Sequence, residues 1–156
     1  MTTEAERTAV AEALERLSDA IWSGDAAAIE ALHESDAMIF DLAPPLGRRF
    51  EAAPLIDWLS TWGGPVRESW GERWIEVSGD LAVCHGYSRT DTSSKAGEGA
   101  SWWVRRSVSL RHRDGRWRVV HDHASVPFSM DESQRAATDL EPPTQTQAGQ
   151  AAADGS

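Results

Sequence analysis

The sequence predicts an α+β fold: a curved, mixed but mostly antiparallel sheet wrapped on three helices to form a cone with an internal pocket. Three observations predict it. Apolar residues recur at helical spacing through the first third of the chain and at a period of two from Val66 onward. Helices followed by a run of hairpin-linked strands is the α+β order. Four long strands joined by hairpins can curl around helices that close one side, which leaves a cavity between the layers.

Thr3-Glu4-Ala5-Glu6 reads as a capping box, and Val10, Leu14, Leu17 and Ile21 then mark one helix face at spacings of 4, 3 and 4. Ser23-Gly24 stops that helix, and Asp25 caps a second, short one through His33, with Ile29 and Leu32 facing inward. Ala37 to Asp41 is a short strand. The Pro44-Pro45 pair breaks regular structure, and Pro54 suits the first turn of a third helix whose apolar face is Leu55, Trp58, Leu59 and Trp62. Strands are expected over 66–77, 81–91, 101–112 and 116–126, with turns at Ser78-Gly79-Asp80 and Asp114-Gly115 and a polar loop over 92–99. The domain is placed at 1–130. The segment 131–156, polar and almost without large apolar residues, is expected to be a disordered tail.

At 156 residues the chain makes one domain with a substantial core. Its net charge of -10 disfavours nucleic acid and anionic membrane surfaces as partners. No stretch approaches the ~18 apolar residues of a membrane span. Cys84 is the only cysteine, so no internal disulfide can form, and with no apolar leader at the N-terminus the expected compartment is the cytoplasm. Eight of the twelve aromatic residues are Trp, a residue that often lines ligand cavities.

Strict alternation along the last strand puts Trp117, Val119, His121, His123 and Ser125 on one face, apolar at one end and polar at the other, as in a strand running from a core into a polar pocket. The alternative is that the two histidines sit on an exposed or interface face. His85 and Tyr87 share a row with Leu81 and Val83. Trp103 and Arg105 share a row opposite Trp102, Val104, Val108 and Leu110. An Arg there can hold a carboxylate or enolate oxygen, or pair with a local acid on the outer face. Asp41 follows Ile39-Phe40 and precedes Pro44-Pro45. Partial burial would make it a base, and otherwise it caps the turn. The His-x-His pair invites a metal that Asp41 or His85 could help to hold, but nothing in the sequence fixes that third ligand; no metal is assigned, and metal-assisted chemistry there stays a third alternative.

Together, Ser23-Gly24-Asp25, the run Phe40 to Leu46, Ala82-Val83-Cys84-His85, Trp103-Val104-Arg105 and the ending Gly115-Arg116-Trp117 through His121-Asp122-His123 to Pro127-Phe128 resemble the SnoaL-like, ketosteroid-isomerase-like branch of the nuclear transport factor 2-like superfamily. The resemblance covers about residues 5–130. It implies a cone-shaped, cystatin-like roll with a pocket, commonly a homodimer. It also implies an Asp in that pocket that moves protons next to a carbonyl, as in ketosteroid isomerases and polyketide cyclases. The isomerase pair of Tyr and protonated Asp has no match here.

The expected activity is therefore isomerase, cyclase or dehydratase chemistry on a small apolar carbonyl compound, without a cofactor. Asp41, His121, His123 and Arg105 are the catalytic candidates, and His85, Trp103, Ser125, Tyr87 and Trp58 the ligand-binding ones. The alternative is a non-catalytic ligand-binding or dimerisation module. A homodimer is expected through the outer face, with Trp102, Val104, Val108 and Leu110 in the interface beside Val120, Ala124 and Val126. In the inverted assignment these Trp102-strand residues fill the core and Arg105 points outward.

Overall fold

The computed structural model describes residues 3–143. Helix α1 spans Glu4–Ser23. Thr3 Oγ1 accepts from the Glu6 amide at 3.2 Å while Glu6 Oε2 accepts from the Thr3 amide at 2.8 Å, closing the capping box reciprocally. Gly24 ends the helix in the left-handed region at φ 67°, a conformation open to glycine at little cost. Asp25 caps α2, Ala26–Ala31, by accepting from the Ala28 amide at 3.0 Å. Helix α3 is Ala52–Ser60.

The strands are β1 His33–Phe40, β2 Arg48–Arg49, β3 Arg67–Ser78, β4 Leu81–Ser93, β5 Gly99–Arg113 and β6 Arg116–Ser125. They form one sheet in the order β2-β1-β6-β5-β4-β3, antiparallel except where β1 runs parallel to β6. The α+β class and the mixed, mostly antiparallel sheet are as predicted.

Two local expectations are corrected. The second helix does not run through His33, and the first strand begins there rather than at Ala37. The Leu32 carbonyl accepts from the Val119 amide at 2.8 Å, so pairing with β6 draws the chain out of the helix. The short strand β2 was not foreseen.

Val10, Leu14, Leu17 and Ile21 are buried, as their spacing requires. They pack with Val77, Ala82, Cys84, Val108, Leu110, Trp117 and Val119. Val108 and Leu110 are essentially inaccessible, so the inverted assignment of that strand holds and these residues do not make an outer interface. Beyond β6 the chain folds back: Phe128 bridges Ala136, and Ala137 donates to the Pro127 carbonyl at 2.8 Å. The remainder of the expected tail, 144–156, lies outside the described residues.

Candidate functional site

The concave face is set by strand parity and by one interruption of it. Arg105 pairs with Ser125, Ser107 with His123 and Ser109 with His121, but Leu110 pairs with Val119. Val120 is therefore an extra residue, a β-bulge that moves every later side chain of β6 to the opposite face. Before the bulge Trp117 and Val119 point inward. After it Asp122 and Ala124 do, and His121 and His123 point out.

The cavity on that face has a volume of about 230 Å³. Leu17 and Ile21 from α1, Phe50, Leu55, Trp58, Trp102 and Val104 make its apolar walls. Arg106 brings the strongest polar group. Its Nε and Nη2 donate to the two oxygens of Asp122 at 3.0 and 2.6 Å, and its Nη1 donates to Glu68 Oε2 at 2.8 Å. Its guanidinium also lies 5.4 Å from the centroid of the Trp70 ring. Burial works to lower the Arg106 pKa, but the charges of Asp122 and Glu68 overcome it and hold the value above the ordinary one. The side chain is charged at every accessible pH, and both acids are committed to it.

His33 lines the same cavity, stacked on Phe50 with ring centroids 3.7 Å apart. Its Nδ1 lies 2.8 Å from the Ile29 carbonyl oxygen. A carbonyl only accepts, so Nδ1 carries the hydrogen and Nε2 keeps the lone pair. Burial lowers the His33 pKa from 6.5. The Ile29 bond and the Asp122 charge oppose this, while Arg106 and Arg48 reinforce it. Burial thus favours the neutral imidazole, and the Ile29 carbonyl favours its Nδ1–H tautomer.

Asp41 and Arg48 complete the lining. Asp41 is half exposed; its Oδ1 accepts from the Leu42 amide at 2.7 Å, and its Oδ2 is 3.7 Å from Arg48 Nη2. Arg48 pairs with Ile39 across β1 and β2, which turns it inward. Its Nη1 is buried and has no hydrogen-bond partner among the described residues.

Of the predicted site residues, Asp41 and Trp58 line this cavity. The expectation that the others share it is corrected. His85, Tyr87, Trp103, Arg105, His121, His123 and Ser125 lie on the convex face: β5 has the opposite parity to that assumed, His85 and Tyr87 of β4 pair with its Ser107 and Arg105, and Val120 reverses β6. There His85 stacks on Trp74 at 5.6 Å, and Tyr87, Arg105 and Ser125 stand abreast on neighbouring strands. The Trp103 ring covers Gly71, where an added Cβ would meet it at 2.9 Å. His121 Nδ1 lies 2.8 Å from the Met38 carbonyl oxygen, and the edges of both histidines meet Phe40. Among the described residues no group of three or more His, Cys, Asp or Glu side chains is placed to hold a metal ion. Cys84 is a core residue whose thiol is pushed up to about 11 by burial.

The SnoaL-like domain model matches residues 10–129. The chain belongs to the SnoaL-like family. Its fold is that of the nuclear transport factor 2-like superfamily. An NTF2-like protein of unknown function from Pseudomonas putida is 26% identical, with a TM-score of 0.79 over 91% of this chain and 100% of that one. A candidate dehydratase of the NTF2-like family from Streptomyces avermitilis is 16% identical, with a TM-score of 0.68 over 80% and 97%. The association domain of C. elegans CaMKII is 22% identical, with a TM-score of 0.64 over 78% and 96%. No curated protein matches the chain. No helix among the described residues is long and apolar enough to cross a membrane.

Proposed function

We propose that this SnoaL-like protein binds a small, largely apolar carbonyl compound in the concave cavity and moves a proton next to the carbonyl. The carrying observation is His33: a buried imidazole that burial holds towards its neutral form, with its Nδ1 2.8 Å from the Ile29 carbonyl oxygen, on the wall of a cavity that joins aromatic and aliphatic walls to the Arg106–Asp122–Glu68 cluster. Such a ring is a general base with one available atom. Nε2 takes the proton from the carbon beside the carbonyl, and the C–H electron pair moves into an enolate. The imidazolium then returns the proton to a second carbon, which is an isomerisation with no change in composition. Each terminal nitrogen of Arg106 has a second N–H beyond its bonds to Asp122 and Glu68, and these support the enolate oxygen. Asp41, on the half-exposed rim, carries protons between cavity and solvent. No cofactor is required.

Deuterium uptake into 2-tetralone in heavy water, followed by proton NMR, tests this. The wild-type protein is expected to accelerate uptake beside the carbonyl, and His33→Gln to abolish the acceleration. Binding of 2-tetralone without any acceleration by the wild type would instead leave a non-catalytic binding module.

A second reading rests on the convex face. Met38, Phe40, Trp74, Leu81 and Val83 are each at least 36% exposed there. Trp74, Leu81 and Val83 cluster on the adjacent strands β3 and β4, while His121, His123, Ser107 and Ser109 separate them from Met38 and Phe40; an exposed apolar cluster of this kind marks a partner site. A two-fold homodimer buries the same patch on both subunits. The expected result is a dimeric mass by light scattering that Trp74→Glu converts to a folded monomer; a monomeric wild type overturns it.

A further inference from the structure

We propose that Arg48 selects a ligand bearing a carboxylate, which the cavity holds against the Arg48 guanidinium. This names the substrate class of the site and rests on the cavity being a ligand site. The two cationic side chains of the cavity are in opposite states. Arg106 faces two carboxylates at 2.6–3.0 Å that already match its charge, which leaves it only spare N–H groups for a substrate oxygen. Among the described residues Arg48 makes no hydrogen bond to a side chain, and its one ionic contact there is the 3.7 Å approach of Nη2 to Asp41, whose side chain is 45% exposed. Its Nη1 is enclosed and has no hydrogen-bond partner among the described residues.

Arg48 Nη2 sits 3.7 Å from Asp41 Oδ2, too far for a hydrogen bond, and a half-buried cation in that state is relieved by a closer acceptor. A ligand carboxylate gives Nη2 a charge-assisted hydrogen bond, the strong form of the bond, and sets its charge beside the enclosed Nη1. The surrounding walls, Ile39, Phe50, Pro54 and Trp58, are apolar, so a ligand fitting here joins an apolar body to an anionic head. Asp41 competes for the same guanidinium. The Arg48–Asp41 contact is then a placeholder, and removing it should favour the ligand.

A matched pair of probes separates this from general cavity binding. 2-Naphthoate and 2-acetonaphthone share size and ring system and differ in the charge of the head. Titration calorimetry on the full chain is expected to show the wild type binding 2-naphthoate about tenfold more tightly than the ketone. Arg48→Gln should abolish that preference by weakening 2-naphthoate binding about tenfold. Asp41→Asn should strengthen 2-naphthoate binding, a sign that no merely structural role of Arg48 produces. If the wild type binds both probes equally, or Arg48→Gln keeps the preference, the carboxylate assignment falls while the ligand cavity stands. If neither probe binds, both readings fall. A circular dichroism melt of each variant shows that lost binding is not lost fold.

Discussion

The two ends of the concave face are built from the same strands and behave as different materials. At one end Val108 and Leu110 of β5 meet Trp117 and Val119 of β6 under α1, and the packing is dry. At the other end the same two strands present Arg106 and Asp122, and the space between sheet and helices stays open. The Val120 bulge lies at the border. Without it, β6 would send Trp117, Val119, His121 and His123 to one side, and Asp122 would leave Arg106. One inserted residue thus lets a single strand serve a hydrocarbon core and an ionic pocket in succession. Bulges are a recurrent means of re-aiming side chains beside functional sites.

The sharpest way to break the difference is to remove the ionic end's only strongly held cation. Arg106→Leu leaves Asp122 and Glu68 side by side and unpaired. A loss of about 3–5 kcal/mol in urea denaturation at neutral pH is expected. The triple variant Arg106→Leu, Asp122→Asn, Glu68→Gln removes the charges with their partner and should recover most of it. A single variant as stable as wild type would show that the acids re-solvate freely and that this end is wetter than its packing suggests. At the dry end, Leu110→Ala removes a fully buried side chain and should cost about 2–5 kcal/mol through lost burial and a residual cavity. That loss should not change with salt, whereas the Arg106→Leu loss should shrink as salt screens the two carboxylates.

The dry end was legible in the sequence and the ionic end was not. Val10, Leu14, Leu17 and Ile21 carry a periodic signal that only a buried helix face explains, and they are buried. The hairpin turns at Gly79 and Gly115 take positive φ, as the turn chemistry implies. The site fails at points where local pattern carries no information. β5 offers two acceptable parities, since Trp103 and Arg105 look as pocket-like as Trp102 and Arg106; burial of Val108 and Leu110 decides between them. The Val120 bulge has no marker such as glycine or proline. His33 looks like a helix end in the sequence because its partner strand is more than eighty residues away. Asp41 and Trp58 line the cavity as expected because their signals are local: Asp41 precedes the Pro44-Pro45 turn, and Trp58 belongs to the periodic apolar face of α3.

The smallest expected effect concerns His33, and its sign follows from linkage. Burial holds the folded-state pKa below the ordinary 6.5 of the unfolded chain. Above 6.5 the ring is neutral in both states and contributes no pH dependence. Below 6.5 the unfolded chain takes up a proton that the folded protein refuses. Stability therefore falls as the pH drops from 6.5 to the folded pKa and levels off below it, with a slope of at most about 1.4 kcal/mol per pH unit. His33→Gln removes this component and keeps the outer-face histidines, which then cancel in the comparison. Urea denaturation of both proteins between about pH 7.5 and 5.5 should show the wild type losing more stability than the variant. Parallel profiles would mean that His33 titrates as freely as it does in water. The neutral base at the junction of the dry and ionic ends would then be lost to the mechanism, while Arg106 and the packed core would stand unaffected.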